Sequence, residues 1–148
     1  MENKNFFCEI TKSEMGYDED VYLFFSIMDE LSALAGELKI SDTEYGHYDD
    51  LINIIFALPD YEYKNSGILN NIDVEKYKSY KIEDILKNCN KTSLLLFRAY
   101  SMARTALHYY VKISRDKRFI EFFNDENILI LKNIRNFFLC RFYELNPQ

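Results

Sequence analysis

The sequence predicts an all-α protein, a single-domain bundle of six or seven helices around one central buried helix. Three observations carry that prediction. Apolar residues recur at three- and four-residue intervals over most of the chain, the period of a helix with one buried face. No stretch alternates apolar and polar residues for long enough to build a sheet of consequence. Residues 93–113 set Ala99, Ala103 and Ala106 among large apolar side chains, and small residues let neighbouring helices approach closely. At 148 residues the chain is one ordinary domain, a size at which folding buries roughly 68–70% of the unfolded surface. With 48% hydrophobic residues, 4 glycines and 2 prolines, it is neither a disordered nor a collagen-like sequence.

Residues 1–16 keep no sustained period and end near Gly16, so they read as an extended or poorly ordered arm, with 17–148 as the helical domain. A first helix begins at Asp18, where Asp18, Glu19 and Asp20 complement the positive end of the helix dipole. Its wide apolar stripe runs through Val21, Phe24, Phe25, Met28, Leu31, Leu34, Ala35 and Leu38. Ser41-Asp42-Thr43 opens a polar connection. Asp49, Asp50, Leu51, Ile54, Ile55 and Leu58 describe a second helix, which Pro59 stops by lacking an amide donor and by turning Leu58 away from helical geometry. Asn65-Ser66-Gly67 is a turn signal. Asp73 caps a short helix through Tyr77, and Ile82, Ile85 and Leu86 mark another.

Thr92 then caps a long helix from Ser93 to about Ile113. Leu95, Leu96, Tyr100, Met102, Leu107 and Tyr110 make it apolar over more than one stripe, which predicts a rod enclosed by its neighbours. Beyond Ser114-Arg115-Asp116 come a short helix at 117–123 and a final helix opening on Asp125 and Glu126. Ile128, Leu131, Ile134, Phe138 and Phe142 form its stripe.

The net charge of −6 is unevenly placed: residues 1–90 carry 19 acidic and 8 basic side chains, and residues 91–148 carry 5 acidic and 10 basic. The basic residues are dispersed along helical positions, without the runs that track a phosphate backbone, so no nucleic-acid partner is expected. Cys8, Cys89 and Cys140 lie far apart and outside any CxxC or Cys/His pattern, the usage of reduced thiols in a cytoplasmic protein. The opening MENKNFFCEI has no basic n-region followed by an apolar h-region, and Lys132, Arg135 and Arg141 break the most apolar window, 128–143. Neither secretion nor membrane insertion is expected. Asn, Ile, Lys and Tyr, whose codons are AT-rich, make up 52 residues, which points to an AT-rich genome.

Catalytic patterns are sparse. His47, at a helix start beside Asp49 and Asp50, reads as a capping or solvent contact. His108 reads as a partly buried structural imidazole bonded to a carbonyl or a carboxylate. Asp29/Glu30 and Asp125/Glu126 are adjacent in sequence, so on a helix they point about 100° apart and serve as solvated faces. A di-metal bundle needs Glu-x-x-His on each of two helices, and that pair is not there. Phosphate-cradling glycine loops are missing too. The reading is non-enzymatic, with no catalytic residue, no cofactor and no metal. What remains is surface. Twelve tyrosines are many for 148 residues, and tyrosine supplies rigid contact area with a polar tip. Tyr45, Tyr48, Tyr61, Tyr63, Tyr77 and Tyr80 can each cap the edge of the core; together they favour a binding protein.

Several strings, in order, resemble the poxviral Bcl-2-like proteins. These are Asp20-Val21-Tyr22-Leu23-Phe24-Phe25, Tyr48-Asp49-Asp50-Leu51, the short-helix region 68–87, Ala99-Tyr100-Ser101-Met102-Ala103, and the run from Phe119 to Leu129 that opens the last helix on Asn124-Asp125. The likeness covers about residues 18–142. With no Trp and no Gly in the long helix, the chain lacks the Asn-Trp-Gly-Arg motif of cellular relatives, so it is more similar to the innate-signalling antagonist branch. That resemblance implies a Bcl-2-like fold. It also implies a viral antagonist in the host cytoplasm that binds a host signalling or death-pathway protein and inhibits nuclear factor kappa B activation, interferon induction or apoptosis. It implies a homodimer of the first and last helices as well, for which Tyr22, Ile27, Phe137 and Leu139 are the candidates. A groove for an amphipathic partner helix would be lined by Leu51, Ile55 and Leu58 against the long helix. The alternative is a bacterial or phage-encoded inhibitor, a toxin immunity or anti-defence protein, whose acidic half mimics phosphate.

Overall fold

A computed structural model describes residues 4–8, 12–58, 67–121, 123 and 125–148. The chain opens with strands β1 (Asn5–Cys8) and β2 (Ser13–Gly16). Helices α1 (Asp20–Ser41), α2 (Tyr48–Ala57), α3 (Ile82–Asn88), α4 (Lys91–Ser114) and α5 (Asp125–Glu144) follow, with 3-10 turns at Glu75–Tyr77 and Lys117–Phe119. The protein is thus predominantly α-helical, with five α-helices among the described residues where six or seven helices were expected. The shortfall lies in the short elements. Asp73 accepts from the Glu75 amide and Asp116 from the Arg118 amide, and each fixes a single 3-10 turn. So few residues cannot offset the cost of nucleating an α-helix.

Of the segment read as an extended or poorly ordered arm, the described residues include two extended strands. β1 pairs antiparallel with β2, Phe6 opposite Met15 and Cys8 opposite Ser13. Side chains alternate across the ladder, so Cys8 and Met15 are buried while Phe7 and Glu14 face water. The hairpin therefore caps the bundle with one apolar face.

α1 buries Val21, Phe24, Met28, Leu31, Leu34, Ala35 and Leu38, the expected stripe, with Phe25 half-buried at its edge. α2 buries Tyr48, Leu51, Ile54 and Ile55 and ends one residue before Leu58. Leu58 itself is right-handed helical (φ −58°, ψ −44°), contrary to the restriction expected of a residue before proline. That restriction is a steric preference, and here Leu58 is fully buried and its amide bonds the Ile54 carbonyl. Pro59, Asn65 and Ser66 lie outside the described residues; Gly67 takes φ +83°, the left-handed conformation a turn glycine supplies without strain.

α4 lies between α1 and α5 and packs along both. It is not an enclosed rod. Leu96, Ala99, Ala103, Ala106, Tyr110 and Ile113 form one buried stripe, while Leu94, Arg98, Arg104, Thr105 and His108 face solvent. Counting apolar residues all round the helix overstated its burial, because Tyr100, Met102, Leu107 and Tyr109 are only half-buried flanks. Asn90, not Thr92, caps the helix, its side-chain oxygen accepting from the Ser93 amide at 3.0 Å. In α5, Asn127 and Ile130 join Leu131, Ile134, Phe137, Phe138, Phe142 and Tyr143 inside, and Ile128 is half-buried. The three long helices meet over the alanines of α4, where the missing side-chain volume allows the close approach.

Candidate functional site

A largely buried set of interacting polar side chains ties the end of α1 to the end of α5. Asp42 follows α1 immediately, its amide bonding the Leu38 carbonyl at 2.7 Å. Its buried carboxylate receives two hydrogen bonds from Arg141, from Nε and Nη2, both at 2.8 Å. The Tyr48 hydroxyl donates to Oδ2 at 2.6 Å. Arg141 spends its remaining donor edge on Glu144, 3.1 Å away, and its guanidinium lies over the Tyr45 ring. Rings of Tyr45, Tyr48 and Phe137 close the sides.

Burial alone would push the Asp42 carboxyl up. The Arg141 and Tyr48 hydrogen bonds and the Arg141 charge outweigh it and hold the group below the usual carboxylate range. Burial and the bond to Asp42 push the Tyr48 phenol well above its ordinary value. Burial chiefly raises Tyr45 to about 12. Beside them a cavity of about 90 Å³ is lined by Tyr45, Asp73, Lys76, Cys140, Arg141 and Glu144, among others. Burial, seconded by Glu144, raises the Cys140 thiol to about 11, which favours its protonated form at neutral pH. Asp42, Tyr48, Arg141 and Glu144 bond one another, and such a set latches helices together.

A second cluster stands at the hairpin end. Arg118 makes two bonds to Glu19, at 3.1 and 3.0 Å, and others to Asp116, which the Arg118 bonds hold below its ordinary carboxylate value. Lys112 pairs with Asp20 at 3.1 Å. Nearby, the rings of Phe6, Tyr17 and Tyr22 meet at centroid distances of 5.0–5.7 Å. Tyr17 is 46% exposed, so this aromatic group is partly open to solvent. Along α4, an open groove of about 530 Å³ is bordered by Arg104, Leu107, His108, Val111, Lys112 and Arg115.

A family described as a domain of unknown function, DUF1940, matches residues 7–139. The chain belongs to the DUF1940 family. No curated protein matches it.

All seven residues expected at a groove or a dimer face lie within the DUF1940 match, and the fold assigns most of them to packing. Leu51, Ile55 and Leu58 are fully buried, so they line no open groove; their stripe already faces the bundle interior. Phe137 is buried against Tyr45 and Tyr48. Ile27 and Leu139 are half-buried and packed on the core. Tyr22 alone belongs to an open patch, with Phe6 and Tyr17. His47 stands exposed, 3.5 Å from Asp50, as expected of a helix start. His108 is exposed on the outer face of α4 rather than partly buried, because the stripe of α4 turns that position to water. Of the tyrosines read together, Tyr48 is fully buried, Tyr45, Tyr77 and Tyr80 cap the core edge, the latter two against Tyr143, and Tyr61 and Tyr63 lie outside the described residues. Among the described residues of this DUF1940 chain, no group of three or more His, Cys, Asp or Glu could hold a metal ion, and no helix is long and apolar enough to cross a membrane.

Sequence reasoning missed the Asp42–Arg141 latch. An arginine set between Cys140 and Phe142 in the apolar last turn of a helix was the available signal, since such a charge needs a partner.

Proposed function

We propose that this chain is a non-catalytic binding protein that works by occupying another protein. The observation that carries the reading is the partly exposed group of Phe6, Tyr17 and Tyr22, where the hairpin meets the start of α1. Aromatic rings with apolar neighbours and few rotatable bonds are the usual anchors of protein interfaces. The interior, in contrast, commits its acids and bases to internal pairs, which supports binding over acid–base chemistry. The specific role is antagonism of a host innate-signalling or death-pathway protein in the cytoplasm, and its support is the resemblance to poxviral Bcl-2-like proteins. The exposed carboxylates Asp29, Glu30 and Glu37 on α1, which have no ion-pair partner among the described residues, favour, as a second reading, an inhibitor of bacterial or phage origin acting through an acidic surface.

Expression in cells carrying nuclear factor kappa B and interferon reporters tests the first reading. The wild-type chain lowers a reporter signal, and Tyr17→Ser/Tyr22→Ser, with unchanged helical content, does not. A wild-type chain that leaves the reporters and cell-death assays unaffected sinks it. Partner binding that weakens steeply with salt, and is lost in Asp29→Asn/Glu30→Gln/Glu37→Gln, selects the second.

A further inference from the structure

The second half of α4 turns to water a face that is basic along one edge and apolar along the other. With Arg104 as origin, an advance of about 100° per residue puts Arg115 about 20°, His108 about 40° and Lys112 about 80° round the helix on one side. Val111 and Leu107 stand about 20° and 60° round on the other side. These six residues border the open groove of about 530 Å³. Arg98 points about 120° away from Arg104 and takes no part. The four basic residues are exposed, and Leu107 and Val111 are half-buried. The Arg104 guanidinium lies over the Tyr100 ring at 5.4 Å, which steadies it beside the apolar edge and leaves its in-plane N–H donors to water. α4 contains no acidic residue, and the acids near its end are committed, Asp20 to Lys112 at 3.1 Å and Asp116 to Arg118 at 2.7 Å. Among the described residues Arg104, His108 and Arg115 have no acidic partner.

We propose that this groove docks an acidic amphipathic helix of another protein, laid antiparallel along α4. At 1.5 Å per residue, Arg104 and Arg115 stand about 16 Å apart, so the partner segment is about three helical turns long. Two helices that face each other in opposite directions bring equal angular positions together, so the complement of this face repeats its spacing. Apolar residues at the fourth and eighth positions of such a segment stand within one residue of Val111 and Leu107. Acidic residues at its first, fifth, ninth and twelfth positions stand against Arg115, Lys112, His108 and Arg104. The apolar pair supplies burial, and the charges supply direction and register. This is the helix-in-groove mode of recognition, with anchors one turn apart.

Charge complementarity selects an acidic partner, and the apolar edge selects a peptide over a nucleic acid. A protein that draws its affinity from a phosphate backbone makes on the order of 6–10 cationic contacts. Here there are two unpaired arginines, a histidine and a lysine already bonded to Asp20. Phosphates gain nothing from Leu107 and Val111, and the net charge of −6 opposes a long polyanion. The groove shares no residue with the hairpin patch invoked for function, so failure of one leaves the other standing.

Fluorescence anisotropy of a labelled twelve-residue peptide tests the docking. The peptide carries leucine at its fourth and eighth positions, glutamate at its first, fifth, ninth and twelfth, and alanine elsewhere. The protein is titrated to about 1 mM, so that weak docking is still read, at a salt concentration of about 0.05 M where surface charges are weakly screened. The wild-type chain should bind the peptide, and less tightly as salt is raised. Replacing the peptide's glutamates by glutamine, or its leucines by serine, should each weaken binding at least about tenfold, as should Arg104→Glu/Arg115→Glu in the protein. The hairpin variant Tyr17→Ser/Tyr22→Ser should bind as the wild type does. Circular dichroism confirms that each variant is folded, and Arg104→Gln/Arg115→Gln replaces the charge reversal if that variant is not. A wild-type chain that ignores the peptide, binding indifferent to the arginines or to the peptide's glutamates or leucines, loss of binding in the hairpin variant, or tighter binding of a labelled twenty-nucleotide single strand would each overturn the proposal.

Discussion

Removing the guanidinium of Arg141 while keeping its length, as Arg141→Met, leaves the Asp42 carboxylate buried with only the Tyr48 hydroxyl against it. The side chain of Asp42 is 3% exposed and that of Arg141 14%. Breaking a buried pair from one side costs about 3–5 kcal/mol, and the residual water contact of Arg141 places this one near the lower end, about 3 kcal/mol. For a chain of this length that corresponds to a fall in melting temperature of about 6–12 °C. The pH dependence gives a sharper signature. In the wild-type protein the folded pKa of Asp42 lies below its unfolded value, so the latch contributes stability above the unfolded pKa and loses it as pH falls through the folded pKa. In Arg141→Met burial dominates and the folded pKa rises, so acid neutralises the stranded carboxylate and relieves it. The gap between the two proteins, measured by urea unfolding, should be widest near neutrality and narrow in acid. The triple variant Asp42→Leu/Tyr48→Phe/Arg141→Met removes the charges and the orphaned hydroxyl together and should recover most of the loss. A single-variant cost under about 1 kcal/mol, or a triple variant no more stable than the single, would refute the reasoning.

Three further outcomes follow from the packing and caps. Asn90→Ala removes the side-chain acceptor from the first turn of α4 and should cost about 1 kcal/mol in urea unfolding; no measurable loss would show that the cap is replaced by water. Ala103→Leu forces extra volume into the fully buried contact of α4 with its neighbours and should cost about 1–3 kcal/mol, whereas the exposed Thr105→Leu, two residues on, should not lower stability comparably. Native-state alkylation followed by peptide mass spectrometry should label half-buried Cys89 before Cys140, whose thiol is held near 11 by burial. Rapid labelling of Cys140 at neutral pH in the folded protein would contradict that environment.

The long helices were legible because their apolar positions repeat every three or four residues, and α1 and α5 run close to where those repeats place them. The misjudged features all depend on what stands across space. Whether Tyr100 or Leu107 is core or flank depends on how far α1 and α5 reach round α4, and their own sequence positions do not say. Leu58 takes helical geometry before a proline because its side chain is wanted inside. Leu51, Ile55 and Leu58 form an amphipathic stripe that here faces the core, and in sequence such a stripe looks alike whether it faces its own core or a partner.

By itself the sequence determined the helical class, the registers of the apolar stripes and the separation of acidic from basic halves. These are local properties, set by side-chain spacing along one chain direction. Only the tertiary structure decided that Arg141 reaches Asp42 across 99 residues, that the first sixteen residues include two paired strands, and that Lys112 on α4 stands beside Asp20 on α1. Each of these relations joins residues from separate elements, and the energy that selects them arises only when burial brings those elements together.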